Sequence, residues 1–408
     1  MTGQARTTPG AGPAWVRGGT GGGAGKASLD VDALLADPDT QIIVCCGSGG
    51  VGKTTTAAAL ALRAAEQGRT VCVLTIDPAR RLAQSMGLTE LDNVPRPVAE
   101  AGAEGGGSLD AMMLDMKRTF DEVVEAHASP EKAKQILSNP FYVALSSSFA
   151  GTQEYMAMEK LGQLYDEAGA GAAGSARAGK RWDLIVVDTP PSRSALDFLD
   201  APERLSSLLD GRFIKLLLAP ARGPARFLSA GFAIVTNALN KVLGAQVLSD
   251  VQTFVAAFDT LFGGFRQRAD ATFALLQAEG TAFLVVAAPD PDAMREAAYF
   301  VERLTHEDMP LAGLVVNRVT DLPAAAMLDA SEAESAARTL DSGAETDQQV
   351  AGLLRVHAER MLVRAREQKL KRSFSAAHPA VATVSVPALA GDVHDLEGLR
   401  QIGALLTA

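Results

Sequence analysis

Short apolar runs alternate with stretches of helical periodicity along most of the chain. Six of the runs have the length and composition of buried strands: Ile42–Cys46, Val71–Ile76, Leu184–Val187, Ala282–Ala287, Leu311–Asn317 and Ala382–Val386. Strands that are apolar on both faces and separated by helices are typical of a parallel sheet that is covered on both sides. The pattern therefore predicts an α/β fold with a mostly parallel central sheet between two layers of helices.

Two long segments carry Leu, Phe and Met at helical spacing and contain no strand-like run. They are residues 110–167 and 201–277, which we expect to be helical insertions packed together as one subdomain. Residues 1–38 are predicted to form a disordered Gly-rich tail followed by a short helix at Leu29–Ala36. The rest of the chain, residues 39–408, is predicted to be a single domain that carries both insertions.

Composition narrows the class of protein. With 47% apolar and 21% charged residues, the chain has the balance of a soluble globular protein, and its net charge of −10 argues against a general nucleic-acid binder. The three cysteines, Cys45, Cys46 and Cys72, lie in apolar runs, which predicts buried thiols in a reducing, cytoplasmic compartment and excludes a disulfide scaffold. The best candidate for a membrane span, Phe227–Asn240, is shorter than the ~20 residues required.

The most specific motif follows the first apolar run and precedes an Ala- and Leu-rich helical pattern. It has the spacing of a P-loop, and its residues are Gly47, Ser48, Gly49, Gly50, Val51, Gly52, Lys53, Thr54 and Thr55. Glycines allow backbone N–H groups to surround a phosphate, and the N-terminus of the following helix favours negative charge. We expect Lys53 to reach the β- and γ-phosphates of a nucleotide and Thr54 to ligate Mg²⁺. A Gly-rich turn that binds nothing is the alternative interpretation.

Two aspartates stand at the ends of apolar runs. Asp188 follows Leu184–Val187, at the position where a P-loop protein holds its metal through a Walker-B carboxylate. Asp77 ends the run after the P-loop helix, and we expect its carboxylate at the same carboxyl edge of the sheet, where ligands of open α/β folds bind. For each of them, an aspartate that only forms a turn is the alternative.

Together these motifs resemble the arsenite-pump ATPase (ArsA) family of the deviant Walker-A class, which includes ATPases that deliver tail-anchored membrane proteins. The resemblance runs from Gln41 to Leu406 and rests first on the P-loop, Asp77-Pro78-Ala79 and Asp188-Thr189-Pro190-Pro191-Ser192. The supporting blocks are Ala150-Gly151-Thr152-Gln153-Glu154-Tyr155, Leu196-Asp197-Phe198-Leu199, Val316-Asn317-Arg318 and Pro387-Ala388-Leu389. Both predicted insertions fall where this family carries its helical subdomain.

The resemblance implies a role for each of these positions in binding ATP or ADP with Mg²⁺. Asp77 would lie in switch I and orient or deprotonate the attacking water, in a reaction where Lys53 stabilises phosphate charge. Asp188 would open switch II and hold Mg²⁺ through water, and Pro190–Ser194 would sense the γ-phosphate. Asn317 would read adenine, because its amide offers both a donor and an acceptor. The loop at Pro387 would close over the base.

Three departures from the family pattern alter the expected partners and ligands. The second P-loop lysine of this class, which reaches across a dimer to the partner's phosphates, is replaced by Ser48. The Cys-x-x-Cys pair of a zinc clasp is missing, so we expect no zinc. No cysteine lies beyond Cys72, so we do not expect thiolate ligation of arsenite in the helical region. The chain is therefore predicted to form a dimer, with an ArsA-like paralogue that keeps the lysine as its partner.

The predicted function is a Mg²⁺-dependent ATPase whose nucleotide state gates the helical subdomain, to handle an apolar helix, a membrane-protein client or a membrane partner. The alternative is a nucleotide-binding regulatory subunit with weak hydrolysis in the heterodimer, because Ser48 removes a positive charge. A positioning ATPase of the partitioning type is disfavoured by the large apolar insertions.

The apolar residues of the two insertions have more than one interpretation. Methionines in the first insertion are interpreted as core packing, with a promiscuous apolar surface as the alternative: Met112, Met113, Met116, Met156 and Met158. The second insertion could line a groove for a client helix, contact a partner subunit, or pack against the first insertion.

Overall fold

Strands and helices alternate through the part of the chain that the computed structural model describes, which is residues 15–17, 27–76, 81–102, 105–139, 142–143, 152–169, 181–190, 267–322 and 328–407. The strands are β1 (Val16–Arg17), β2 (Ser28–Leu29), β3 (Ile42–Cys46), β4 (Thr70–Thr75), β5 (Arg96–Pro97), β6 (Ser108–Met113), β7 (Leu184–Asp188), β8 (Thr281–Ala287), β9 (Leu311–Val319) and β10 (Thr383–Pro387). The helices are α1 (Val31–Ala36), α2 (Lys53–Glu66), α3 (Arg81–Ser85), α4 (Met116–His127), α5 (Pro130–Leu137), α6 (Thr152–Glu167), α7 (Pro291–His306), α8 (Ala330–Leu340), α9 (Glu345–Ala377) and α10 (Leu396–Leu405), and residues 267–277 are also helical.

The strands of the described residues form one sheet in the order β1-β2-β10-β9-β8-β3-β7-β4-β6-β5. All neighbours from β2 to β6 pair in parallel, and only the short edge strands β1 and β5 pair antiparallel. The β3-α2-β4 and β8-α7-β9 connections run in opposite directions along the sheet. Since such crossovers are right-handed, α2 and α7 cover opposite faces. The predicted α/β architecture is confirmed.

Each of the six predicted strands is present, and β3 matches its predicted bounds at both ends. The prediction that residues 110–167 lack a strand is wrong at their start, where β6 extends to Met113 beside β4. The sequence hides this strand because Asp110 interrupts its apolar run. The structure accommodates that carboxylate because the indole N–H of Trp182 donates to Asp110 Oδ2 at 3.0 Å.

The first insertion is otherwise helical, with α4, α5 and α6. Core packing of its methionines is confirmed for Met112, Met156 and Met158, which are buried. Residues 201–266 of the second insertion lie outside the described residues. Its described end packs against the first insertion, because Arg268 Nε donates to the buried carboxylate of Glu159 at 2.8 Å.

The N-terminal region contributes to the edge of the sheet. The predicted short helix is present as α1, which begins at Val31 because the Asp30 side chain accepts a hydrogen bond from the N–H of Ala33 and caps it. Leu29 belongs instead to β2, which pairs with β10. Within the stretch predicted to be disordered, residues 16–17 form β1, and residues 1–14 and 18–26 lie outside the described residues.

Helix α9 is the longest described helix, with 33 residues, and its second half is hydrogen-bonded to Thr320, directly after β9, and to Ser385 in β10. The Glu367 carboxylate accepts hydrogen bonds from the backbone N–H and the hydroxyl of Thr320, at 2.7 and 2.8 Å. The Lys371 ammonium donates to Ser385 Oγ at 2.6 Å. Among the helices in the described ranges, none is both long enough and apolar enough to cross a membrane.

The three cysteines behave as buried apolar residues. Cys45, Cys46 and Cys72 are all free and fully buried in β3 and β4. Burial raises the pKa of the Cys46 thiol to about 12, and it raises the pKa of the other two thiols as well. A thiol with so high a pKa carries almost no thiolate at neutral pH, so the prediction that these side chains are buried packing residues is confirmed.

Arg69 directly precedes β4, and its five hydrogen bonds reach the end of α1 and the residues that precede β3 and β7. Its guanidinium donates to the carbonyl groups of Leu35, Asp37, Thr40 and Asp183 and to Asp183 Oδ1, at 2.7–3.2 Å. The arginine side chain is 7% exposed, so solvent does not replace these bonds when they are lost.

We predict that Arg69→Met lowers the free energy of unfolding by about 3 kcal/mol, because four carbonyl groups and a carboxylate lose their donor. Urea unfolding monitored by tryptophan fluorescence, to which buried Trp182 contributes, measures this loss. Arg63→Met is the matched control, because its ion pair with Asp32 is half-exposed and should be worth at most about 1 kcal/mol. Equal effects of the two substitutions would contradict the role assigned to Arg69.

Candidate nucleotide site

The P-loop, residues Gly47–Thr55, connects the central strand β3 to helix α2 and depends on its glycines. Gly47, Gly50 and Gly52 have φ values of +146°, +75° and +95°, which side chains other than glycine rarely adopt. There is also no room for a side chain at Gly47, because its Cβ would lie 2.0 Å from the carbonyl oxygen of Val286 in β8. A Cβ on Gly52 would lie 2.3 Å from Asn317 Nδ2. The loop can therefore fold between β8 and β9 only with these glycines in place.

The start of α2 has the electrostatics of an anion site. Its N-cap is Gly52, which has no side chain to bond the first-turn N–H groups, and no acidic residue lies in the first turn. N–H groups that lack a side-chain cap, together with the helix dipole, favour a bound negative charge. Lys53 is buried, and its ammonium donates to the carbonyl oxygen of Ser48 at 2.7 Å, so its charge lies within the curve of the loop.

Asp188 lies at the carboxyl end of β7 and is fully buried. Its Oδ2 accepts hydrogen bonds from Thr54 Oγ1 at 2.8 Å and from Thr75 Oγ1 at 2.9 Å. Thr54 belongs to the P-loop, and Thr75 is the last residue of β4, directly opposite Asp188 in the parallel pairing. The two sequence-predicted metal residues, Thr54 and Asp188, are thus in direct contact.

Sequence reasoning missed Thr75. Its position at the end of a strand, two residues before Asp77, is the only signal that could have drawn attention to it. The residue also connects to the helical region, because its carbonyl oxygen accepts a hydrogen bond from the N–H of Leu114 at 2.9 Å, at the end of β6. Asp115, the next residue, caps α4. One threonine therefore contacts the Asp188 carboxylate and the start of the first insertion.

The donors around Thr54 and Asp188 fit Mg²⁺ in their chemistry. A hydroxyl and a carboxylate are hard oxygen ligands, and Mg²⁺ typically takes only one or two such protein ligands beside phosphates and water. The described residues contain no group of three or more His, Cys, Asp or Glu side chains that could hold a metal by themselves.

Asn317 and Pro387 lie at the same edge of the sheet, at the ends of β9 and β10. Asn317 is buried, its Nδ2 donates to the carbonyl oxygen of Val51 at 2.8 Å, and its Oδ1 accepts from the N–H of Arg318 at 3.0 Å. Pro387 is half-buried and pairs with Val319. Asn317 thus contacts the P-loop directly, whereas Pro387 lies on β10, which β9 and β8 separate from the P-loop strand β3. The predicted contacts of Asn317 and Pro387 with a base remain predictions.

Arg318 is a second residue that sequence reasoning did not assign to the site. Its guanidinium Nη1 donates to the carbonyl oxygen of Gly50 at 3.0 Å. The predicted roles of Asp77 and of Pro191–Ser194 fall on positions outside the described residues. Thr189, between Asp188 and Pro190, donates its hydroxyl to the carbonyl oxygen of Cys45 at 2.9 Å and so ties the end of β7 to β3.

Ser48 stands where the deviant Walker-A class has its second lysine, and its side chain is about nine-tenths buried. Within the described part of the chain, Ser48 Oγ has no hydrogen-bond partner. A short, neutral and buried hydroxyl cannot reach a neighbouring subunit's phosphates. The expected dimer with a paralogue that keeps the lysine remains a prediction.

Comparison with known proteins places the site within a family. The family model described as anion-transporting ATPase, ArsA_ATPase, matches residues 40–339, which include the P-loop, Asp77, Asp188 and Asn317. Pro387 lies beyond the matched residues.

Several curated proteins are similar to this chain over part of its length. An ATPase ASNA1 homolog 2 from Paramecium tetraurelia is 24% identical over 70% of this chain and 78% of its own length. An ATPase GET3 from Malassezia globosa is 28% identical over 43% of this chain and 46% of its own length. The ATPase BagA from Mycobacterium tuberculosis is 30% identical over 40% of this chain and 46% of its own length. The chain thus spans about half the length of the last two relatives.

We predict that Thr75→Val weakens Mg²⁺-dependent nucleotide binding, because Asp188 loses one of the two hydroxyl donors that orient its carboxylate. The thermal shift caused by ATP with Mg²⁺ should fall, while the shift measured with ATP and a chelator should remain as in the wild type. The loss of one buried hydrogen bond should also cost about 1 kcal/mol of stability.

Thr119→Val is the control for this loss of stability. Thr119 lies in α4 and is equally buried. Its hydroxyl donates to Asn93 Oδ1 at 3.0 Å, and neither residue belongs to the P-loop. It should lower the melting temperature similarly and leave the Mg²⁺-dependent shift unchanged. A Thr75→Val protein with the full Mg²⁺-dependent shift would show that Thr75 has only a structural role.

Proposed function

The chain belongs to the ArsA family of ATPases, and we propose that it hydrolyses ATP in a Mg²⁺-dependent reaction at the P-loop. The observation that carries this proposal is the hydrogen bond of 2.8 Å between Thr54 Oγ1 and the buried Asp188 Oδ2. It joins the Walker-A and Walker-B residues at the carboxyl edge of the sheet, where nucleotides bind to open α/β folds. A Gly-rich turn without a ligand would not require a buried carboxylate at this place.

The residues of the site divide the work of phosphoryl transfer between them. The N–H groups of the P-loop and of the first turn of α2 bind the phosphates, and Lys53 places a positive charge against the β- and γ-phosphates. Thr54 and Asp188 would hold the metal, with Asp188 acting through water. Mg²⁺, when bound, neutralises charge that develops on the phosphate oxygens. Asp77 orients or deprotonates the attacking water.

We further propose that the nucleotide state gates the helical subdomain. A ligand changes a conformational equilibrium only if its contacts differ between the two states. The segments that follow β4 and β7 would contact the γ-phosphate of ATP, and these contacts would be lost with ADP. Support comes from Thr75, which bonds to Asp188 through its hydroxyl and to Leu114 through its carbonyl oxygen. A displacement of the Asp188 carboxylate would therefore reach the segment before α4 through two hydrogen bonds joined by Thr75. The cargo we propose is an apolar helix of a membrane protein, handled in the cytoplasm.

The quaternary proposal follows from Ser48. A homodimer would close two phosphate sites without a lysine from either partner, whereas an ArsA-like paralogue that keeps the lysine would supply one to the nucleotide bound by this chain. The same residue supports a second candidate function, a regulatory subunit that binds nucleotide and hydrolyses it weakly. The ATP turnover of the isolated chain, compared with that of the native complex, distinguishes the two functions.

Two variants separate nucleotide binding from turnover. Lys53→Ala should lose the stabilisation by ATP with Mg²⁺, which in the wild type is about 2.7 kcal/mol at a hundredfold excess over the dissociation constant. Asp77→Asn should keep this stabilisation and lose turnover by roughly 10²–10⁴-fold. Thermal shift and phosphate release measure the two quantities.

Lys117→Ala controls for the loss of a lysine, because Lys117 pairs with Asp121 on the surface of α4. It should leave both quantities unchanged. A Lys53→Ala protein that melts with the full ATP-dependent shift would overturn the P-loop assignment, and unchanged turnover in Asp77→Asn would reduce Asp77 to a turn residue.

We predict that the complex purified from native cells contains this chain and an ArsA-like paralogue with lysine at the second P-loop position. Mass photometry gives the number of subunits, and mass spectrometry identifies them. Turnover should be higher in the heterodimer than in the isolated chain, because the paralogue completes the charge at one site. Recovery of only a homodimer with full ATPase activity would refute the heterodimer.

A further inference from the structure

The tip of β9 holds the P-loop from outside through two consecutive residues. Asn317 Nδ2 donates to the carbonyl oxygen of Val51 at 2.8 Å, and Arg318 Nη1 donates to the carbonyl oxygen of Gly50 at 3.0 Å. The two carbonyl groups belong to successive peptide groups of the loop. The contacts span 266 and 268 residues of sequence, so they are made only in the folded protein.

The backbone of β9 is distorted where it makes these contacts. In the pairing of β10 with β9, Val386 lies opposite Asn317 and Pro387 lies opposite Val319, so Arg318 is an extra residue in a bulge. Its φ is +60°, in the left-handed region that is unfavourable for a residue with a side chain. Such strain persists only where surrounding contacts maintain it, and it often marks a functional position. Here the bulge coincides with the arginine that contacts the P-loop.

Fixing a carbonyl group also fixes the N–H group of the same peptide. A peptide group is planar and trans, so its C=O and N–H point in opposite directions. With the carbonyl groups of Gly50 and Val51 bonded to β9, the N–H groups of Val51 and Gly52 point away from β9. Among the described residues, neither N–H has a hydrogen-bond acceptor. Both donors therefore belong to the set that a P-loop offers to phosphate.

We propose that Asn317 and Arg318 are positioning residues that clamp the P-loop and pre-orient the N–H groups of Val51 and Gly52 for phosphate. This inference rests on the proposed function of the loop as a phosphate site. Glycine occupies positions 47, 49, 50 and 52, and a chain so rich in glycine loses much entropy when it is ordered. A loop that is already held in the binding conformation does not bear this cost when the ligand binds.

The clamp has a consequence that base recognition does not share. If Asn317 acted only by reading adenine, its replacement would weaken binding of ATP and leave binding of free tripolyphosphate unchanged. A clamp acts on the phosphate donors, so loss of either residue weakens binding of ATP, GTP and tripolyphosphate by a similar factor. Tripolyphosphate carries no base, and it therefore isolates the effect on the loop.

Arg318→Gly is the most informative variant. Glycine adopts a φ of +60° without strain, so the bulge is kept and the unliganded protein should melt at the same or a higher temperature. The affinities for tripolyphosphate and for ATP, measured by calorimetry on the full chain, should both fall about tenfold, the factor expected for one charge-assisted hydrogen bond. Arg318→Lys, which keeps a donor and the charge, should recover part of this loss. Asn317→Ala should also weaken tripolyphosphate binding.

Asp308→Gly is the matched control. Asp308 is another exposed residue with a positive φ, +53°, and it lies in the turn between α7 and β9. Its replacement relieves similar backbone strain and should leave both affinities unchanged.

The outcomes separate the clamp from the phosphate site itself. If the wild type binds ATP and tripolyphosphate and Arg318→Gly binds both equally well, the clamp is wrong and the proposed function stands. A lower melting temperature with unchanged affinities would show that Arg318 serves only the stability of the fold. If the wild type binds neither ligand, the assignment of the phosphate site is wrong, and the clamp proposal, which depends on it, is wrong as well.

Discussion

The buried carboxylate of Asp188 is the constraint around which the described part of the molecule is arranged. A carboxyl group without solvent needs hydrogen-bond partners, and Asp188 receives donors from Thr54 in the P-loop and Thr75 at the end of β4. These donors meet only if the carboxyl ends of β3, β4 and β7 lie side by side. The strand order with β7 between β3 and β4 satisfies this condition, and the apolar core beneath the strands holds them in register.

The P-loop illustrates how a flexible sequence becomes a defined surface. Its glycines are required because β8 and β9 approach too closely for side chains at Gly47 and Gly52. The same lack of side chains leaves the loop with few internal restraints, one of which is the hydrogen bond from Lys53 to the carbonyl oxygen of Ser48. Further restraint comes from outside, because the tip of β9 donates hydrogen bonds to the carbonyl groups of Gly50 and Val51. Rigidity at this site thus depends in part on the surrounding sheet.

This chain departs from the expected family pattern at Ser48 and in its cysteines. The site around Asp188 keeps its expected residues, Thr54 and Asp188. Ser48 is buried and neutral where the class has a lysine, and the cysteines lie inside β3 and β4, where burial keeps them protonated. Lys53 is a different lysine, and its ammonium donates to the carbonyl oxygen of Ser48 within the loop. Arg318 adds a cation at the outer rim, two residues along the loop from Ser48, through its contact with Gly50.

The sequence alone determined the features that depend on local pattern. Continuous apolar runs specified the strands of the central sheet, and the spacing of glycines, lysine and threonine specified the P-loop, because both signals lie within a few residues. It missed β6, since the charge of Asp110 breaks the run and the indole of Trp182 that satisfies it lies 72 residues away. The tertiary structure alone decided that Thr75 orients Asp188 and that Arg318 holds Gly50, contacts across 113 and 268 residues. A threonine or an arginine at the end of a strand carries no local signal of its partner, and only the folding of the sheet brings the two together.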